Sequence, residues 1–459
     1  MKKFDYNDLG TCSELLYNYK KVRKKRKKNF QNQPIKILRI LCQRPYYTGS
    51  GINLINLTKK SAEFGFEQYV IFGQPACKPN PIKEIIGEEH TDFTRFYDKD
   101  CPQKAAIPFF VAGMSDRMPY SSTKFSEFDN KMLEQYLSEF ADKIKYAKEY
   151  FQPTIVHTHH LWLVTALSRA LFKDVPVIAT CHNTALRQTV LAAQLKPFVL
   201  PAIRALDAIA VINQDQQKRV QEIYQFEKKN SKQKIFFEIG QGINTNIFYP
   251  KSLKKNRKNS TRSSKSIMYV GKLNFSKGVP QLIQAFRELI QEGGKLKLYL
   301  AGSGKGKEKE DIIRLTKGLE QKIHFLGQIS QKELAKYFRK MDLFVLPSFY
   351  EGFPKVLLES LACSCKAIIT DLPGVRECLE ANCGVSENVQ FIPLPKMKSI
   401  DQPKEKEIPS FIQNLKTAIK EQLSIQKNED ILDYAEKVRE QFGWEGLFEK
   451  YKMIYKEIL

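Results

Sequence analysis

Leu343-Phe-Val-Leu-Pro-Ser-Phe-Tyr-Glu351-Gly-Phe-Pro-Lys-Val-Leu-Leu-Glu359 is the stretch on which the reading of this chain turns. An apolar strand, Leu343 to Pro347, runs into a loop carrying one carboxylate, Glu351. Pro354 then opens a helix that is apolar from Val356 to Cys363 apart from Glu359 and Ser360. Proline suits the first helical turn, where its missing N–H would have no partner anyway. A helix apolar on nearly all sides belongs inside a protein. An ionised Glu359 there is costly unless hydroxyls or a cation meet it. The N–H groups of Gly352, Phe353 and the helix start favour an anion. Two acceptors flanking such an end suit a ligand with hydroxyls at both extremities and phosphate between, the layout of a sugar nucleotide. Read by themselves, the two acids more readily fit a structural reading, Glu359 as a paired acid on its helix and Glu351 as a solvated loop residue.

Working outward, apolar runs alternate with helical patterns along the chain. Strands are expected at Ile35–Cys42, Gln68–Gly73, Thr154–His157, Val175–Thr180 and Ala208–Ile212, with helices from about Ile52 to Phe64 and Phe128 to Phe151. Residues 74–130 mix Pro, Asp and Lys and give no clear pattern. A Lys- and Ser-rich stretch at 251–266 marks a boundary. A second series follows, with strands at Ser266–Gly271, Leu296–Ala301, Ile323–Leu326, Leu343–Leu346 and Ala367–Thr370. Ser330-Gln-Lys-Glu333 reads as a capping box, and the chain is expected to be all helical after about residue 405. Strands alternating with helices predict an α/β fold of two doubly wound parallel sheets. Such halves take their ligand at the carboxyl ends of strands.

The length of 459 residues allows two to three domains. The net charge of +24 is unevenly spread: residues 1–30 and 251–266 supply +7 each, leaving the body mildly basic. Residues 1–33 read as a basic, disordered arm, with contact to anionic membrane as the functional competitor and no specific nucleic-acid partner expected. No secretory signal and no run of 18 apolar residues is found, and the nine scattered cysteines do not resemble a disulfide framework, so a cytoplasmic protein is expected, peripheral at the membrane if the arm binds there.

Several residues carry chemistry-bearing patterns. Lys272 and Lys277 sit between a strand and a helix expected near Val279, where two cations could hold a diphosphate. Gly49-Ser-Gly51 follows the first strand, and its backbone could approach an anion closely; it is no Walker sequence, so ATP hydrolysis has little support. Four of six histidines fall between 157 and 182, at strand ends: His157, His159, His160 and His182. No H-E-x-x-H motif accompanies them, and no metal is expected. His157 reads as structural, while His159 is a candidate for the site and His182 for the same cleft. Gly302, in Ala301-Gly-Ser-Gly304, and Glu377, after Pro373-Gly374, are further candidates.

The Glu351-to-Glu359 segment, with Gly352-Phe353-Pro354 and the later Pro373-Gly-Val-Arg-Glu377, resembles the E-x7-E motif of the retaining GT-B glycosyltransferases of family 4. Gly271-Lys272 and Lys277 resemble that family's G-[RK]-x4-K segment, and Gly49–Gly51 its glycine loop. The resemblance covers residues 35 to about 395. It implies two Rossmann-like domains facing across a cleft: an acceptor domain at 34–245, a nucleotide-sugar domain at 246–440, and a final helix at 441–459 returning to the first domain. It implies transfer of a hexose from a nucleoside diphosphate sugar with retention of configuration, no cofactor, and an acceptor that the sequence does not name. Glu351 would orient the donor sugar and Glu359 the ribose. Lys272, Lys277, Gly49 and Gly51 would hold the diphosphate, and His159 would position donor and acceptor. The family more often has Arg at the first cation, so Lys272 keeps the charge without the planar fork. The alternatives left open are a GT-B epimerase or phosphorylase, and a basic membrane- or nucleic-acid-binding protein with a vestigial sugar site.

Overall fold

The computed structural model describes residues 34–115, 118–226, 235–250, 264–399, 401–426 and 429–459. The basic arm and residues 251–263 lie outside the described residues. The chain forms two compact units, Met1–Gly240 with Phe448–Leu459, and Gln241–Leu447. The division falls at 240 and 447, a few residues from the expected 245 and 440.

The first unit is built on β1 (Lys36–Leu41), β2 (Glu67–Pro75), β3 (Thr91–Phe96), a separate short pair β4 (Ala112–Gly113) and β5 (Thr123–Lys124), then β6 (Ile155–His159), β7 (Val177–Thr180), β8 (Ala208–Val211) and β9 (Phe236–Glu238). The main sheet runs β3-β2-β1-β6-β7-β8-β9, parallel throughout. Its central strands are covered on both faces, which is why β1 and β6 to β8 read as unbroken buried runs rather than alternating ones. The second unit carries β10 (Lys265–Val270), β11 (Leu296–Ala301), β12 (Ile323–Gly327), β13 (Leu343–Leu346), β14 (Lys366–Thr370) and β15 (Val389–Ile392), in the parallel order β12-β11-β10-β13-β14-β15. Both sheets are doubly wound as expected. In each the strand order reverses at one place, β1/β6 and β10/β13, and ligands of such sheets bind outside the carboxyl ends at that switch point.

Local chemistry moved several boundaries. The first helix spans Gly49–Glu63 because Thr48 caps it, its hydroxyl accepting from Gly51 N at 3.1 Å. Gly49 to Gly51 are therefore the helix's first turn, not a loop ahead of it. A side chain at 51 would place its Cβ 2.7 Å from the Arg44 carbonyl oxygen, so glycine is required there. The helix after β13 spans only Lys355–Leu361, with Pro354 at the capping position just outside it rather than in its first turn. The capping box at Ser330 and Glu333 forms as read. The expectation for the cysteines needs one correction: Cys77 and Cys101 are disulfide-bonded, while six others among the described residues are free and buried. No helix among the described residues is long and apolar enough to cross a membrane.

The final helix, Trp444–Ile458, belongs to the first unit from Phe448 onward. There it closes a polar network around Arg39, a fully buried cation in mid-β1. Among the described residues its guanidinium meets no carboxylate; it donates to Gln68 Oε1 (3.2 Å), His157 Nδ1 (2.9 Å), Tyr455 Oη (3.2 Å) and Ser61 Oγ. Arginine only donates, so His157 Nδ1 is an acceptor and its proton resides on Nε2, 2.8 Å from Thr180 Oγ1. Thr180 in turn meets Tyr451 Oη at 2.6 Å. His157 is structural, as expected.

Candidate functional site

The second unit's switch point gathers most of the expected donor residues. Lys277 closes a short turn, Phe275–Lys277, after β10, and Glu351 lies in the loop after β13. Their side chains, 19% and 21% exposed, pair with Lys277 Nζ 2.7 Å from Glu351 Oε1. Ser348 Oγ donates to the same oxygen at 3.0 Å, and Lys277 Nζ also reaches the Tyr350 carbonyl at 3.0 Å. The backbone fixes this meeting: Phe349 N donates to Ser276 O at 3.0 Å. Gly278 takes φ +65°, and a Cβ on it would lie 2.0 Å from the Pro347 carbonyl oxygen. Only glycine lets the two loops close up this far.

The neighbouring strand ends join the same ledge. Gly302 has φ +134° and would strike the Gly271 carbonyl with any side chain, while its N–H donates to Gly327 O at 2.7 Å. Tyr269 Oη donates to Lys272 O at 2.7 Å, and burial together with the Glu351 charge holds that phenol protonated. The Lys272 ammonium is exposed and has no hydrogen bond or ion pair among the described residues. Gly352 and Phe353 lead from Glu351 to the short helix. On that helix Glu359 is 6% exposed, with Lys355 Nζ 3.8 Å away. Burial pushes its carboxyl up to about 7 against the pull of Lys355. Glu377 stands apart from these contacts, exposed in the first turn of Val375–Cys383.

The Glu359 shift makes a stability prediction. The folded acid holds its proton more tightly than the unfolded one, whose reference value is 4.5. Its contribution is complete below pH 4.5 and lost as pH rises through about 7. Urea unfolding of wild type and Glu359→Gln at pH 4 and pH 8 should show the wild type losing about 3 kcal/mol more than the variant. Parallel pH curves would contradict this.

In the first unit the switch point brings together the other candidates. His159 Nδ1 lies 3.2 Å from His182 Nε2, and the His160 and His182 rings are 4.7 Å apart. His160 Nε2 is 3.3 Å from Gln43 Nε2, which also donates to Thr48 Oγ1 (3.0 Å) and Ser50 Oγ (2.6 Å). The glycine turn at 49–51 is thus linked to all three imidazoles through Gln43. Burial, then the mutual repulsion of neighbours, keeps His159 and His160 neutral, and burial pushes His182 down to about 4. His159 Nε2 is buried without a partner among the described residues. Sequence reasoning missed Gln43, the hub; the available signal was a polar residue directly after β1, at the switch position.

Two parallel doubly wound sheets with their polar side chains at the switch points define a GT-B protein, and solved structures agree on the fold. Sucrose-phosphate synthase of Thermosynechococcus elongatus superposes with a TM-score of 0.59 at 20% identity, over 92% of this chain and 98% of that one. Starch synthase IV of Arabidopsis thaliana, bound to ADP and acarbose, gives 0.57 at 14%, over 93% and 99%. Two family models match successive parts: Glycosyltransferase Family 4 at residues 89–232 and Glycosyl transferases group 1 at 251–389. The chain belongs to these glycosyltransferases. A Campylobacter jejuni N-acetylgalactosaminyltransferase acting on a diphospho-undecaprenol saccharide is 39% identical over 25% of this chain and 30% of its own length. Glycogen synthase of Mycobacterium tuberculosis is 26% identical over 51% and 56%. The matched stretch of the chain therefore spans from 30% to 56% of these curated relatives' lengths.

Proposed function

We propose that this chain transfers a hexose from a nucleoside diphosphate sugar to an acceptor, with retention of configuration and without a metal. The observation that carries this is the Lys277–Glu351 pair at the second unit's switch point. It puts a cation and a hydroxyl acceptor side by side, which is what a sugar joined to a diphosphate requires. Lys272 and Lys277 neutralise the diphosphate as it departs. Glu351 accepts from sugar hydroxyls and Glu359, once ionised, from the ribose. The glycine turn and His159 of the first unit serve the diphosphate and the positioning of donor and acceptor. No side-chain carboxylate is assigned as nucleophile; the leaving phosphate takes the acceptor's proton. One of the curated relatives is named for transfer to a diphospho-undecaprenol saccharide and another as a glycogen synthase, which supports a saccharide or lipid-linked saccharide as acceptor.

The test is thermal shift with UDP, ADP, GDP and their hexose conjugates, since a ligand of the native state alone raises its melting temperature. One base should raise it by several degrees at about a hundred times Kd. Lys277→Ala should abolish that rise, and EDTA should leave transfer unchanged. No shift with any nucleotide overturns the reading. Isotope scrambling within the sugar nucleotide in the absence of acceptor would replace it with an epimerase.

A further inference from the structure

Among the described residues three arginines are buried, and only one of them lacks an acceptor there. Arg169 pairs with Asp207 at 2.7 Å, and Arg39 spreads its donors over four neutral partners. Arg44, 9% exposed, follows β1 at the switch point and, among the described residues, has no hydrogen bond or ion pair for its guanidinium, whose Nε is buried and unpartnered there. Its guanidinium carbon lies 3.9 Å from the centre of the Tyr47 ring and 5.1 Å from that of Tyr120. The two rings meet edge-on, 5.7 Å apart at 85°.

We propose that this clamp is an anion receptor for an acidic sugar: Arg44 takes a phosphate or carboxylate borne by the acceptor, and the tyrosines receive the sugar ring. A buried charge without a counter-ion is costly, and stacking on ring faces offsets only part of that cost. What stacking does accomplish is to hold the planar fork in one orientation, leaving its N–H edge for a bidentate oxyanion. The Arg44 carbonyl lies against Gly51, in the first turn of the 15-residue helix Gly49–Glu63, whose positive end favours negative charge nearby. Tyr46 and Tyr47 are 47% and 50% exposed, and Tyr46 takes φ +68°, uncommon for a residue with a side chain. Large exposed rings beside a desolvated cation suit a pyranose carrying an acidic group. Gln43, next to Arg44, connects the clamp to His160 and His182.

The word acceptor rests on the transferase reading, but the receptor itself is testable without a donor. Calorimetric or saturation-transfer titration of the full chain would compare glucose 6-phosphate, glucuronate, inorganic phosphate and glucose. At least one acidic sugar should bind about tenfold or more tightly than glucose, the worth of one charge-assisted bidentate contact. The better of the two identifies the acidic group. Arg44→Gln should bring it down to the level of glucose, Arg44→Lys should give an intermediate value, and Tyr47→Ala should weaken every sugar. Retained acid preference in Arg44→Gln overturns the proposal, as does inorganic phosphate binding as well as the acidic sugars. UDP titrated into the same samples should be unaffected by Arg44→Gln. Failure of the wild type to bind any of UDP, ADP and GDP would count against the transferase reading alone.

Discussion

Glu351→Ala should lower turnover, read as nucleoside diphosphate release from the preferred sugar nucleotide, by about 10²–10³-fold while the protein unfolds within a few degrees of wild type. The two effects separate because the side chain does different things in each. In the unliganded fold Glu351 pairs with Lys277 while both remain about one-fifth exposed. A pair in that setting contributes on the order of 1 kcal/mol, because water screens it and holds each partner well when alone. The loops it joins are held independently by the Phe349-to-Ser276 hydrogen bond and by the close contact of Gly278 with Pro347. On the proposed reading the same carboxylate faces sugar hydroxyls beside a departing diphosphate during transfer, in a setting where fixed charges act strongly. Lys277→Ala should produce a loss of similar size, since on that reading its ammonium neutralises the diphosphate, and it also pairs with Glu351. The double variant should lose less than the product of the two single losses, as expected for residues acting as a unit. Full activity of either single variant would end the assignment. So would a loss that follows unfolding rather than chemistry.

How much of this was legible in the sequence varies by element. The parallel sheets were readable because strands buried on both faces are largely apolar: β13 is so throughout, and β1 and β10 are apart from Lys36 and Arg39 and from Lys265 and Ser266. The loop Glu351–Pro354 was readable because an acid, a glycine and a proline between a buried strand and an apolar helix have few structural uses. Residues 74–130 were not. Their order comes from aromatic packing of Phe96, Phe125 and Phe128 against Tyr136 and Phe140, with Phe109 set between Phe96 and Phe128, and from the Cys77–Cys101 bond. Such packing has no period along the chain, so no helix or strand template detects it. The helix start at Gly49 was missed for a different reason. Thr48 as cap outweighs the poor helical propensity of two glycines, and Gly51 is needed for contact with Arg44. Gln43 and Arg44 read as ordinary polar residues after a strand; their importance appears only when β6 and β7 bring histidines alongside.

Least legible was the partnership of Arg39 with Tyr455, 416 residues away, and it carries the second large expectation. Tyr455→Ala should destabilise the protein by roughly 3–5 kcal/mol, since Tyr455 is fully buried and its loss leaves a cavity beside a buried cation. Tyr455→Phe isolates the hydroxyl. It keeps the ring but withdraws an acceptor from Arg39 and a donor from His157 Nδ1, at 3.2 and 2.7 Å. A cost of about 1–3 kcal/mol follows from leaving a charged donor undersatisfied. The discriminating background is Arg39→Met, which removes the charge at similar volume. Replacing a buried charge by a packed apolar side chain is often near neutral. In that background the cation's share of the Tyr455→Phe penalty should disappear, leaving the cost of the donor lost to His157 Nδ1. If the tyrosine hydroxyl instead costs the same with and without Arg39, the final helix is held by packing alone, through Phe448 against Phe64 and Phe66 and through the tyrosine rings. A difference of more than about 1 kcal/mol between the two backgrounds establishes that this helix docks on the first unit partly because a charge in mid-strand requires its oxygens.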